Sequence, residues 1–160
     1  MKSIWTLLAC AVLLIGIAGI AAAANNDAHQ VTVTVNAINE LALTGGDITL
    51  TINSATAGSD PDDDTDVTCA LDWTSNETGK KITVVSSLVT QNFTLKVLAT
   101  GVTGGTAAGQ KTITDSAQDF VTGVAETTGG CTLSYTASAT AAQGTGSDVH
   151  TTVTYTIVAV

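Results

Sequence analysis

Arginine is missing from this chain altogether, and cations of any kind are few: five lysines stand against fourteen acidic residues in 160, for a net charge of −9. Arginine supplies the planar fork that grips a phosphate at two points, and nucleic-acid binders present clustered basic surface. With neither available, nucleic acid and anionic membrane surfaces are excluded as partners. Proline occurs once, at Pro61, so no proline-rich linker divides the chain. Aromatic residues make up 4% of the sequence, leaving a carbohydrate module little to stack sugar rings on. The reagents of catalysis are as sparse. There is no G-x-S-x-G elbow, and no lysine follows the glycine pairs as a phosphate loop requires. Glu40, Glu77 and Glu126 fall at expected strand edges or turns, where they do not form the facing carboxylates of a glycosidase. The chain therefore reads as something other than an enzyme.

One long apolar run is present, from Ile4 to Ala24, preceded by Lys2 and closing on Ala22-Ala23-Ala24. A single positive charge, an apolar core and small residues at the end form a secretory signal, cut before Asn25. Two rival readings stand beside it. About 20 apolar residues also suffice to span a bilayer as an uncleaved anchor, and Leu7-Leu8-Ala9-Cys10 resembles a lipobox, although most of the apolar core follows that cysteine instead of preceding it. The expectation is a signal peptide over 1–24 and a single exported domain over 25–160, secreted or at the cell surface, with no membrane contact once the signal is removed. Four lysines remain beyond residue 24, and mutual repulsion of so acidic a chain favours solubility.

What is abundant is alternation. Threonine, valine and isoleucine take turns with a period of two almost everywhere, and a period of 3.6 is almost nowhere, so the chain reads as all-β. The clearest strands are expected at 31–38, 48–53, 67–74, 81–86, 93–100, 111–114, 132–140 and 149–158. Side chains of the same parity share a sheet face: Val31, Val33 and Val35 oppose Thr32, Thr34 and Asn36, and Ile48, Leu50 and Ile52 oppose Thr49, Thr51 and Asn53. Each strand thus has a greasy side and a hydroxylated side. Thr-Gly-Gly recurs at 44–46, 103–105 and 128–130, each expected to be a reversal, since glycine tolerates positive φ. Seven to nine short strands in this length predict an antiparallel two-sheet sandwich with Ig-like or Greek-key connections.

Two cysteines lie beyond the leader, in Cys69-Ala70-Leu71-Asp72-Trp73 and Cys131-Thr132-Leu133-Ser134-Tyr135. Both follow the pattern cysteine, x, leucine, x, aromatic, which places each cysteine on a core face with Trp73 or Tyr135. In an exported chain such a pair predicts a Cys69–Cys131 disulfide, worth about 4 kcal/mol in the chain-entropy account; two reactive thiols are the alternative.

The most chemically suggestive stretch is Asp60-Pro61-Asp62-Asp63-Asp64-Thr65-Asp66. Calcium takes six to eight oxygens from loops of this kind, so Asp60, Asp62, Asp63, Asp64 and Asp66 are the metal candidates, with calcium the one cofactor to consider. An EF-hand is ruled out by Thr65 at its sixth position and Leu71 at its twelfth; a solvated acidic loop is the plainer reading. His29 lies in a polar stretch and reads as solvated. His150 follows Asp148 by two positions, so their side chains share a face, a spacing common by chance. Asn76-Glu77-Thr78 and Asn92-Phe93-Thr94 match the N-glycosylation sequon.

An alternating strand near one end of a chain needs a partner, because unpaired N–H and C=O groups recruit other chains. Residues 31–38, with Val31, Val33, Val35 and Ile38 as anchors, can fold back on their own sandwich or fill a groove in the next copy. The second outcome is a head-to-tail contact that does not close and makes a fibre.

The stretch VTVTVNAINELAL at 31–43, then Gly45-Gly46-Asp47-Ile48-Thr49-Leu50, Thr78-Gly79-Lys80-Lys81-Ile82 and Val153-Thr154-Tyr155-Thr156 resembles small secreted bacterial β-sandwich proteins rich in threonine and mostly uncharacterised. More distantly the plan is similar to subunits of extracellular fibres, including biofilm-matrix proteins and donor-strand pilins. That likeness implies a donor strand at 31–38 and other copies of the same chain as partners. The sequence thus points to a non-catalytic extracellular structural protein, a self-associating surface or filament subunit assembling by strand exchange. The alternative is a monomeric secreted calcium- or carbohydrate-binding module.

Overall fold

A computed structural model describes residues 26–160 of the chain; the signal peptide expected over 1–24 and the cut expected before Asn25 lie outside the described residues. The chain divides into two compact units, Met1–Thr34 and Val35–Val160. In the first, residues 26–34 are exposed and carry no regular secondary structure. The second is nearly all β, and its strands form two antiparallel sheets of five and four, the two-sheet sandwich that the alternation predicts.

In chain order the strands are β1 (Asn39–Thr44), β2 (Asp64–Ser75), β3 (Lys80–Ser86), β4 (Thr94–Thr103), β5 (Thr106–Ala107), β6 (Lys111–Thr112), β7 (Gln118–Val124), β8 (Thr127–Ser138) and β9 (Val153–Ala159). One sheet has the order β1-β2-β8-β4-β6 and the other β5-β7-β3-β9. β8 is central because Cys131, Leu133 and Tyr135 all turn inward from it, against Cys69, Leu71 and Trp73 of neighbouring β2. Opposing them from the second sheet are Ile82 and Val84 of β3 and Phe120 and Val121 of β7, all essentially sealed from solvent. Burial of one such side chain is worth about 1.5–3 kcal/mol, and the inner faces carry a contiguous set of them.

Several expectations are corrected by the ladder. Residues 31–38 are not assigned to a strand, and pairing begins at Asn39. Residues 48–53 are not a strand either. Ile48 and Leu50 do pack against the core, but the Thr51 N–H donates to the Asp64 carboxylate at 2.6 Å instead of to a neighbouring strand. β7 runs through a stretch with no clean alternation, because two register shifts against β3 interrupt its period and Gly123 takes a φ of +67°. Adjacent Phe120 and Val121 can then both be buried.

The Thr-Gly-Gly sites split. Gly45 and Gly104 do mark reversals, with φ of +107° and +65°: the first follows the end of β1, and the second lies in the turn that carries the chain from β4 in one sheet to β5 in the other. The third site lies within β8 and is no turn. A Cβ on Gly129 would come within 2.5 Å of the Trp73 indole, and one on Gly130 within 2.4 Å of the Asp72 carboxylate. Glycine is there for close packing, and its backbone continues the strand.

Candidate functional site

Open sheet edges are the feature of this fold with consequences beyond packing, since an edge strand presents a row of unpaired backbone donors and acceptors. Among the described residues the four edges are β1 and β6 in one sheet and β5 and β9 in the other. β5 and β6 are two residues long each, too short to template a strand. β1 carries Glu40, and its pairing stops at Thr44, before Gly45-Gly46. β9, with sequence VTYTIVA, has neither charge nor proline, and its seven pairs with β3 run without a register shift. Charges, prolines, bulges and shortness are the usual protections of an edge; β9 has none of them.

The hydrogen bonds fix which backbone groups β9 leaves open. Ser87 N–H donates to Thr152 C=O, and Val160 N–H donates to Gly79 C=O. Antiparallel pairing alternates between bonded and non-bonded residues, so Thr154, Thr156 and Val158 bond to β3. Val153, Tyr155 and Ile157 point their N–H and C=O groups to the open side. The same three residues pack their side chains on the core but remain half-buried. The core is therefore incompletely covered along this edge, where β9 also approaches β1.

The chain leading into β1 is held in a particular way. Asn76 N–H donates to Ile38 C=O at 3.1 Å, the Asn76 side-chain carbonyl accepts from Ile38 N–H at 2.7 Å, and its amide donates to Asn36 C=O at 2.7 Å. One side chain thus imitates a further peptide of β2 and ties residues 36–38 to it. Asn39 also donates to the Glu77 carboxylate, which with the Lys80 ammonium at 3.1 Å holds that carboxyl below its ordinary range. The predicted donor residues are exposed: Val31, Val33 and Val35 by 70, 82 and 72% and Ile38 by 41%.

The predicted calcium ligands do not converge. Asp60 accepts from Ala141 N–H, Asp62 from the Ser54 hydroxyl, and Asp64 from Thr51 and Thr65 N–H. Asp66 accepts from both N–H and hydroxyl of Thr68, which lowers its pKa, and Asp63 is exposed. Each of the four bonded carboxylates anchors a different part of the surrounding loop, and among the described residues no group of three or more histidines, cysteines or acidic residues could hold a metal.

The predicted disulfide is also corrected. Cys69 and Cys131 are free, buried thiols. In register Cys69 faces Leu133 and Cys131 faces Leu71, so the two are diagonal neighbours, about 7–8 Å apart and beyond the usual Cα reach of about 4.4–6.8 Å for a bridge. The Cys69 thiol instead donates to Gly46 C=O at 3.6 Å. Burial, then the nearby Asp72 carboxylate, pushes the Cys131 thiol up to about 11.

The remaining candidates have structural roles. Asp148 and His150 do not form a pair: the Asp148 carboxylate accepts from Asn92 and Phe93 N–H at 2.8 and 2.7 Å, while His150 Nδ1 lies 2.8 Å from the buried Ser86 hydroxyl. Burial lowers the histidine's pKa, and Asp148 opposes that. Asp148 thus ties the loop before β9 to the stretch that enters β4, and His150 ties it to the end of β3. Trp73 and Tyr135 are core residues; the indole N–H donates to Gly104 C=O at 3.3 Å. A shallow depression of about 490 Å³ lies over Asp72, Gly129, Gly130 and Thr132, without an aromatic side chain in its lining. Among the described residues no helix is long and apolar enough to cross a membrane.

Sequence reasoning missed the Asn76 clamp and the β9 edge. A sequon masked the first. For the second, a strand that reads well as sheet says nothing of how many partners it has. No protein-family model, curated protein or solved structure matches this chain.

Proposed function

We propose that the protein is an exported, non-catalytic structural subunit that associates with copies of itself by lending the segment 31–38 to a neighbouring sandwich. The reading rests above all on one observation: three valines alternate with Thr32, Thr34 and Asn36 in a solvent-exposed segment, outside any helix or strand, that directly precedes the sandwich in the chain. Such a pattern has a dry side and a wet side, as an inserted strand needs. Burying each valine contributes about 1.5–3 kcal/mol, and the clamp at Asn76 restricts the base of the segment, which lowers the ordering cost of docking. Because a donated segment and the edge that receives it are different surfaces, the contact is heterologous and propagates into a chain of subunits.

Light scattering and electron microscopy of the purified protein at rising concentration test this. The intact chain forms linear oligomers, and a variant lacking residues 31–38 stays a folded monomer by circular dichroism and sedimentation. An intact chain that remains monomeric at millimolar concentration sinks the reading.

A further inference from the structure

Resting on that reading, we infer that the receiving edge is β9, and that the segment 31–38 of a second copy adds to the four-stranded sheet as a fifth strand beside it. Three independent features converge there. First, among the four edges β9 alone has useful length, unbroken register and no charge, proline or bulge. Secondly, its free N–H and C=O groups belong to Val153, Tyr155 and Ile157, whose side chains face the core and are only half covered. A valine paired with any of these would lie on the same inner face, because directly opposed residues of two strands point to the same side. Val31, Val33 and Val35 have the spacing to do so and would close the exposed flank of the core.

Thirdly, the outer faces match. With the valines inward, Thr32 and Thr34 face solvent beside the exposed Thr154 and Thr156, a threonine ladder of the kind that stabilises neighbouring strands. Neither surface carries a charge that docking would have to desolvate. β1 is the weaker acceptor: it has Glu40 on its outer face, and its pairing ends at Gly45-Gly46.

Cysteine cross-linking separates this assignment from the general reading. Full-length protein carrying Thr34→Cys is mixed with protein carrying Thr154→Cys or Thr156→Cys, under mild oxidation; Cys69 and Cys131 are buried and do not compete. The expected result is a disulfide-linked heterodimer with at least one acceptor position, more than tenfold above the yield with Ala42→Cys on β1. Val33→Cys, on the opposite face of the donor, gives no bridge to either acceptor cysteine. Oligomers that require residues 31–38 yet bridge to Ala42→Cys instead would overturn the β9 assignment and leave strand exchange standing. A Thr34→Cys, Thr156→Cys double variant that closes within one chain at monomer mass overturns the intermolecular edge, and absence of any oligomer in the intact chain overturns both.

Discussion

The hydroxyls of Tyr135 on β8 and Tyr155 on β9 lie 2.8 Å apart, joining the two sheets through the core. Phe120 of β7 packs beside this pair, its ring 5.2 Å from that of Tyr155 and tilted by 54°. Removing one hydroxyl strands the other in an apolar setting, whereas removing both leaves no unmet group. Tyr135→Phe and Tyr155→Phe should each cost about 1–3 kcal/mol, and the double variant less than their sum. Chemical denaturation of the four proteins measures this; strict additivity would show that the hydroxyls act independently.

Gly129 has a second test of packing. Its missing Cβ is what admits the Trp73 indole, and the backbone of Thr103 presses on the same space at 2.4 Å. Gly129→Ala should destabilise by about 1–3 kcal/mol through overpacking and alter tryptophan fluorescence. Gly46→Ala meets no neighbouring atom but sits at φ +74°, so it should cost only the backbone strain of about 1 kcal/mol, with fluorescence unchanged.

Asn76→Ala removes two side-chain hydrogen bonds that hold residues 36–38 in line with β1. The site is only half-buried, so the loss in global stability should fall at the low end of about 0.5–1.5 kcal/mol per bond. The local effect is larger. Amide exchange at Ile38 should accelerate by an order of magnitude or more while amides in β8 keep their protection, as NMR of the exchange would report.

Alkaline pH should weaken the fold. Burial raises the pKa of Cys131 from 9.0 to about 11 and raises those of Tyr135 and Tyr155. In each case the folded state keeps its proton where the unfolded chain has released it, so the stability these groups contribute is complete below about pH 9 and declines as pH rises above it. Melting temperatures between pH 8 and 11 test the slope, and Cys131→Ala should flatten its first part. At pH 8 the native thiols of Cys69 and Cys131 should resist an aromatic disulfide reagent that labels them fully in guanidinium.

Much of the sandwich was legible because period-two alternation forces opposite faces whatever the strands pair with. Cys69, Leu71 and Trp73 on β2 and Cys131, Leu133 and Tyr135 on β8 were placed inward on that ground, and all six are buried. The method failed where alternation broke or where a side chain took a strand's role. The bulged β7 hid its period behind adjacent Phe120 and Val121, and Asp64 captured the Thr51 N–H that would have extended a ladder at 48–53. For the acidic run, where a solvated loop was the plainer reading and calcium the lesser one, the structure gives each bonded aspartate its own stretch of loop to hold.

By itself, the order of residues determined the class of fold, the inner and outer side of most strands and the acidic charge of the chain, since these follow from side-chain chemistry and a local backbone period. Only the tertiary structure decided which strands neighbour each other. Register, which depends on contacts between residues far apart in the chain, put the two thiols on a diagonal instead of in a bridge. Among the described residues the same long-range pairing gave β8 a partner on each side and left β9 with one.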